Sequence, residues 1–274
     1  MDVSILSNFI FLLDLIIYYN FPWGLWGYQP ISLPDVKSRN FTALNEVYQR
    51  RYTSLGLLVV AVTLTQFILN MTYLAQRCGT NISGAVVSYA ALFTFIPWVL
   101  IFGIMVTVII IFPGFKSAFS DVVGYFVVSN SANEILSKLL TSDIQERIKH
   151  VASGDQKAVT EAAEAIMKLS GNNGIMINAM NPENFSDTWD KLKVLMDPNI
   201  LQDGTNYEEK LFNLVILKDN IGEGMWFIYT AILISSIVYY NLSTVECPTN
   251  PETAQQQHQE YIEQQEAKIQ QQQQ

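Results

Sequence analysis

Hydrophobic positions along this chain come in long runs, separated by polar stretches. No charged residue lies between Arg77 and Lys116, and Leu92 to Phe112 is almost continuously Leu, Ile, Val, Phe, Met and Trp. Such a run reads as a membrane span, because about 20 helical residues cross a hydrocarbon core of roughly 30 Å. This span is predicted to start near Val86 and to end abruptly in Phe112-Pro113-Gly114-Phe115-Lys116. Pro97, one third of the way along, is expected to kink it, since proline removes a backbone donor and clashes with the preceding turn. Gly103 offers close approach to another helix. Tyr52 to Leu74 is a second charge-free run, of 23 residues, long enough to span with some tilt. Gln66 is the one amide deep inside it, and either bonds across to another helix or turns back on its own backbone. The short polar link at Ala75–Gly84 makes these two spans an antiparallel hairpin. Met225 to Leu242 is a third charge-free run, ended by Glu246-Cys247-Pro248.

Val3 to Phe21 is also apolar but carries Asp14 in its middle. It has no basic leader and no small-residue cleavage site, so a secretory signal is not expected. As a span it would have to relieve the cost of a mid-membrane charge, about 2.5–3.5 kcal/mol or more. As an interfacial helix it would place Tyr18, Tyr19, Trp23, Trp26 and Tyr28 at headgroup level, where amphipathic rings prefer to sit. Asp14 and the five aromatics favour the interfacial or partly inserted helix.

Between the hairpin and the last span the chain turns polar. Residues 114–221 contain 15 acidic and 10 basic residues. Asn133–Leu140, Ser142–Val151, Asp155–Leu169, a short segment holding Trp189, Leu192 and Leu195, and Tyr207–Lys218 all carry the apolar spacing of helices. They make a small helical lobe with a thin core, expected to lean on the membrane or a partner. Gly222-Glu223-Gly224 is expected to hinge the lobe to the last span. The predicted organisation is therefore all-α, a multi-pass integral membrane protein with three or four spans and a membrane-side lobe. Residues 1–28 form the interfacial helix, 29–51 a polar flank, 52–113 the hairpin, 114–221 the lobe and 222–243 the last span. Residues 244–274 are a glutamine-rich tail of disordered composition.

Composition narrows the function. Half of the residues are hydrophobic, 15% are charged and the net charge is −9, which argues against nucleic acid as a partner. Mean hydropathy is +0.19, too low for a chain that is all membrane. Basic residues gather ahead of Tyr52 (Lys37, Arg39, Arg50, Arg51) and in the lobe, so the positive-inside tendency puts both on the cytosolic side. The short loop and the tail then share the other side. That arrangement brings Cys78 and Cys247 to the ends of neighbouring spans on one face, where they could bridge; two unpaired thiols are the alternative. The sequons at Asn81 and Asn241 also fall there, and Asn241 is too near the span for efficient glycosylation.

No catalytic, cofactor or metal site emerges. His150 and His258 with two cysteines do not make a typical zinc site. Gly171-Asn172-Asn173-Gly174 lacks the Lys-Ser/Thr of a phosphate loop. Asp197–Glu209 resembles a calcium loop only loosely, with Leu201 at a ligand position and Lys210 in place of the closing acid. Asp14 alone is no proton relay. An enzyme is not expected and no cofactor is implied.

One local pattern resembles a known group. Phe112-Pro113-Gly114-Phe115, Phe119-Ser120 and Gly124-Tyr125, directly after a span, look like a run in integral membrane proteins of nucleocytoplasmic large DNA viruses. There the run is similar to Phe-Pro-Gly-Trp, then Phe-Ser-Asn, then Gly-Tyr. Here Phe115 stands in place of the tryptophan and Asp121 in place of the asparagine. The resemblance is limited to the Val86–Phe112 span and its exit. It implies a structural virion protein in the internal membrane beneath an icosahedral capsid, a membrane derived from host endomembrane. The lipid bilayer and capsid or other scaffold proteins are then the expected partners. The alternative is a channel or transporter subunit, with Pro97, Gly103, Pro113 and Gly114 shaping a path. A conduit needs several polar residues along its spans. Gln66, Asn70 and scattered Ser and Thr favour the structural reading.

Overall fold

The computed structural model describes residues 3–21, 27–38, 41–78, 83–139, 173–193, 196–201 and 206–247, with single positions 259 and 262. Among these residues the regular elements are helices and no strand forms. The order is α1 (Val3–Asn20), α2 (Leu33–Lys37), α3 (Phe41–Cys78) and α4 (Gly84–Pro97), then a π turn at Trp98–Phe102 and α5 (Gly103–Ile111). A 3-10 turn at Pro113–Lys116, α6 (Ser117–Phe119), a second π turn at Ser120–Gly124 and α7 (Tyr125–Leu139) follow. After a 3-10 stretch at Asn173–Ala179 come α8 (Phe185–Lys193), α9 (Pro198–Leu201) and α10 (Tyr207–Thr244). The expected helices at Ser142–Val151 and Asp155–Leu169 lie outside the described residues, as does the glutamine-rich tail apart from residues 244–247 and the two single positions.

Four helical segments are long and apolar enough to cross a membrane: Val3–Asn20, Leu44–Cys78, Gly84–Ile111 and Tyr207–Thr244. The chain is thus all-α with four membrane-length helices, the higher of the two counts the sequence allows. The difference lies in α1. An interfacial helix turns its polar face outward to water and headgroups. In α1 the polarity is reversed: Ser7 and Asp14 are buried, while Ile5, Phe9 and Ile16 are exposed. An apolar outside and a polar inside suit lipid surroundings, and α1 packs lengthwise on α3 and α10.

Two buried cores are stacked along the molecule. One joins the membrane-length helices through Phe11, Leu15, Leu58, Trp98, Phe102 and Phe227, among others. The other lies in the lobe, where Leu136, Ile177, Phe185, Trp189, Phe212 and Val215 meet. Ile31, Leu33 and Val36, from the segment expected to be a polar flank, complete the lobe core. The lobe is therefore less thin than its own helices suggest. α3 and α10 run through both layers, with Val47 and Leu211 in the lobe core and Leu55 and Ile234 in the membrane core.

The hinge expected at Gly222 and Gly224 does not exist, because α10 is one helix of 38 residues from Tyr207 to Thr244. At about 1.5 Å per residue it is roughly 57 Å long, against a hydrocarbon core of roughly 30 Å. Nearly half of it therefore belongs to the lobe. Pro97 does mark an irregularity, since α4 ends there and the π turn Trp98–Phe102 follows. Proline's missing N–H disturbs the bonding ladder, and π turns are one way a helix absorbs that. Gly103 meets nothing within 4 Å of where a Cβ would stand, so the close helix approach is made elsewhere.

Candidate functional site

The close approach is made where the Phe112–Tyr125 run meets α10. A Cβ on Gly222 would stand 2.7 Å from Ser120 Cβ and 2.9 Å from the Lys116 carbonyl oxygen. A Cβ on Gly124 would stand 2.6 Å from the Lys218 carbonyl oxygen. Both glycines are small because two backbones touch there. Pro113 opens the 3-10 turn at its first position, where a missing N–H costs nothing. Pro113-Gly114 turns the chain out of α5 and lays the next segment on α10. Phe115 stacks on Trp226 at 4.3 Å between ring centres, and the Trp226 indole donates to the Phe115 carbonyl at 3.0 Å. Phe119 contacts both Trp226 and Tyr229. Phe115, Phe119, Ser120 and Gly124 thus lie in one seam with α10.

Charged groups converge on the same seam. Arg51 on α3 pairs with Glu223 at 2.8 Å and lies 3.8 Å from Asp219. Lys116 pairs with Asp219, and Lys218 with Asp121 at 2.8 Å. The Tyr19 hydroxyl on α1 donates to Glu223 at 2.9 Å. Arg51, Lys116, Lys218, Asp219 and Glu223 are all buried, Glu223 with 1% of its surface exposed. The sequence explains the geometry: Asp219 and Glu223 are four residues apart, so they share one face of α10. Gly222 beside them admits the Lys116 turn. Three cations meet three anions, as burial requires, because an unpaired buried charge is strongly destabilising. The network ties α1, α3, the Pro113–Lys116 turn, the second π turn and α10 together at the level where the lobe joins the membrane-length helices.

The polar residues of the apolar runs are placed as stitches between helices. Gln66 Nε2 donates to the Ser7 carbonyl at 3.0 Å, and Ser7 Oγ donates back to the Gln66 side chain at 2.5 Å. Thr65 donates to Asp14 at 2.7 Å, so Asp14 and Gln66 serve the same α1–α3 seam. Asn70 donates to Thr94 at 2.9 Å, joining α3 to α4. Ser235 on α10 donates to Asn8 at 2.9 Å. At the far end Cys78 and Cys247 form a disulfide with Cα atoms 5.4 Å apart. Beside it Arg77 donates to the Leu242 carbonyl, a cation at a helix C-terminus where the dipole favours one.

Sequence reasoning missed the ion network. Its members sit at the edges of apolar runs, where charges look like ordinary flanks. The legible signal was Asp219 and Glu223 at helical spacing around Gly222, immediately before a span. Next to the network lies a cavity of about 480 Å³. Leu55, Ile109 and Ile110 line it from the membrane-length helices, and Glu183 and Asp187 line it from the lobe. Arg51, Lys116 and Glu223 also reach it. Comparisons with protein families, with curated proteins and with solved structures return no match.

Proposed function

We propose that the chain is a structural integral membrane protein that holds its lobe at a fixed height and orientation against a protein shell. The observation that carries this reading is α10, a single helix that belongs to both layers and is clamped at two levels. The ion network holds it where the lobe meets the membrane-length helices, and the Cys78–Cys247 bridge holds its far end. Swivelling of the lobe would break buried ion pairs and separate the backbones at Gly222 and Gly124. A spacer requires that rigidity, whereas a transport cycle requires two arrangements of the same helices. Gln66, Asp14, Asn70 and Ser235 bond to neighbouring helices rather than facing a shared path, which favours the structural reading over a conduit.

The viral setting rests on the Phe112–Tyr125 resemblance, and the seam gives that run a physical role. In this reading the membrane is the internal membrane of a virion, and the shell is its capsid. The lobe faces the shell, and the bridged cysteines face the opposite, oxidising side, where disulfides persist. Purified particles stripped of lipid by mild detergent test the proposal. The chain is expected to stay with the shell after the lipid is gone. Its complete release together with the lipid overturns the shell attachment.

A further inference from the structure

The segment that leaves α5 has a second face, opposite the one packed on α10. Lys116, Ser120, Gly124 and Val128 recur at helical spacing and are buried. Phe115, Phe119, Val122 and Phe126 recur at the same kind of spacing and form one stripe on the other side. Phe126 is 81% exposed and Val122 66%. On a helix facing water such an outer stripe carries charge. Here Lys116 and Asp121, the charged residues between Arg77 and Glu134, both engage α10 instead, through Asp219 and Lys218. An apolar stripe with its charges drawn to the inner face marks a contact surface.

Continuity and depth say what the contact is. At its start the stripe runs on from Ile104, Ile111 and Phe112, exposed on and just after α5. On its flank Phe119 stacks on Tyr229, next to Ile232 and Leu233, exposed on α10. These are the outer faces of membrane-length helices. The level can be read along α10 at a rise of about 1.5 Å per residue. Counted from Leu242, beside the bridged end, Gly222 stands at roughly 30 Å, the thickness of the hydrocarbon core. Lys218, whose backbone meets Gly124, stands at roughly 36 Å. A bilayer with its headgroups measures about 40–45 Å, so Val122 and Phe126, on either side of Gly124, reach the headgroup layer. Further along α7, Asn130, Asn133 and Glu134 are the exposed residues. The apolar stripe therefore ends at the level where the bilayer ends.

We propose that residues 115–126 lie against the membrane interface, with Phe115, Phe119, Val122 and Phe126 among lipid headgroups and the first acyl carbons. By sequence this segment belongs to the lobe; by its outer face it belongs to the bilayer, as interfacial helices with an apolar side do. The contact fixes the height of the lobe. Raising the lobe draws Val122 and Phe126 into water, and lowering it drives Asn130, Asn133 and Glu134 into lipid. A spacer needs such a stop in both directions.

The proposal rests on the membrane-spanning reading, so its test carries a separate control for that premise. Single nitroxide labels are placed at V122C, F126C, I104C and N133C in the full chain, with the native disulfide intact, in phosphatidylcholine vesicles. All four positions are exposed, and each variant is expected to keep the parent melting temperature. Collisions with oxygen, which partitions into lipid, should exceed collisions with a water-soluble nickel chelate at positions 104, 122 and 126. The order should reverse at position 133. Val122 and Phe126 are read separately, so loss of fold in one variant leaves the other as the test. Nickel collisions in excess at either position, which means water, overturn the proposal. So does exclusion of both reagents there, which means cover by protein such as a second copy. Nickel collisions in excess at position 104 as well would overturn the spanning premise itself.

Discussion

Replacing Arg51 with methionine probes the ion network at its centre. Arg51 is 4% exposed and pairs with Glu223, itself 1% exposed. Without the guanidinium, Glu223 keeps the Tyr19 hydroxyl as its hydrogen-bond partner among the described residues, and Asp219 keeps Lys116. Breaking a buried pair from one side costs about 3–5 kcal/mol, because the surviving charge stays buried. Glu223→Met breaks the pair from the other side and should cost a similar amount. The double variant behaves differently, since no unpaired charge remains: Lys116–Asp219 and Lys218–Asp121 still balance. Apolar replacement of a whole buried pair is often neutral, which leaves the lost Tyr19 bond, about 1–3 kcal/mol. The two single costs sum to roughly 6–10 kcal/mol, so the double variant should recover several kcal/mol relative to additivity. Denaturing-detergent titration in micelles, followed by tryptophan fluorescence, measures all three. Single losses under about 1 kcal/mol, the range of exposed pairs, or a double loss equal to the sum, would refute the reasoning.

Gly222→Val should destabilise the chain by about 1–3 kcal/mol or more through overpacking against Ser120, whereas Gly56→Ala, with open space around it, should gain up to about 1 kcal/mol from helix propensity; thermal melts of both variants check this. Cys78 and Cys247 should resist alkylation until reduced, and Cys247→Ser should lower stability by about 2–4 kcal/mol, read by non-reducing mass spectrometry and by melting. In a cysteine-free background, T80C and K193C should label from opposite sides of sealed membranes, and labelling of both by one impermeant reagent would contradict the topology. Asp14→Leu should keep α1 inserted, since the carboxylate bonds to Thr65 inside the bundle, whereas a helix held at the surface by its charge would change its depth in fluorescence-quenching measurements.

What the sequence made legible follows from what the bilayer demands. Hydrocarbon imposes a length and an apolar composition on every crossing helix, so the runs at Tyr52–Leu74, Val86–Phe112 and Met225–Leu242 were visible without partners. Gln66 was recognisable as an amide that must find a bond, and the choice between another helix and its own backbone was open until Ser7 supplied the partner. Residues whose roles depend on distant partners were not legible. Asp14 gave no sign of Thr65, 51 residues away, which donates to it. Gly222 and Gly224 read as a hinge because local propensity cannot register Ser120, which forces Gly222 to be small. Arg51 and Glu223 are 172 residues apart, and each alone looks like a flanking charge. The lobe core was underestimated because Ile31, Leu33 and Val36 come from outside the lobe's own segment. A kink was expected at Pro97, and a π turn at Trp98–Phe102 directly follows it.

Crosslinking mass spectrometry on intact particles tests the anchoring claim most directly. Lys191 and Lys193 lie in the last turn of α8 in the lobe. The account predicts crosslinks from these two lysines to a shell protein at a defined set of shell positions. Crosslinks from them only within the chain, while shell proteins crosslink freely among themselves, would contradict it.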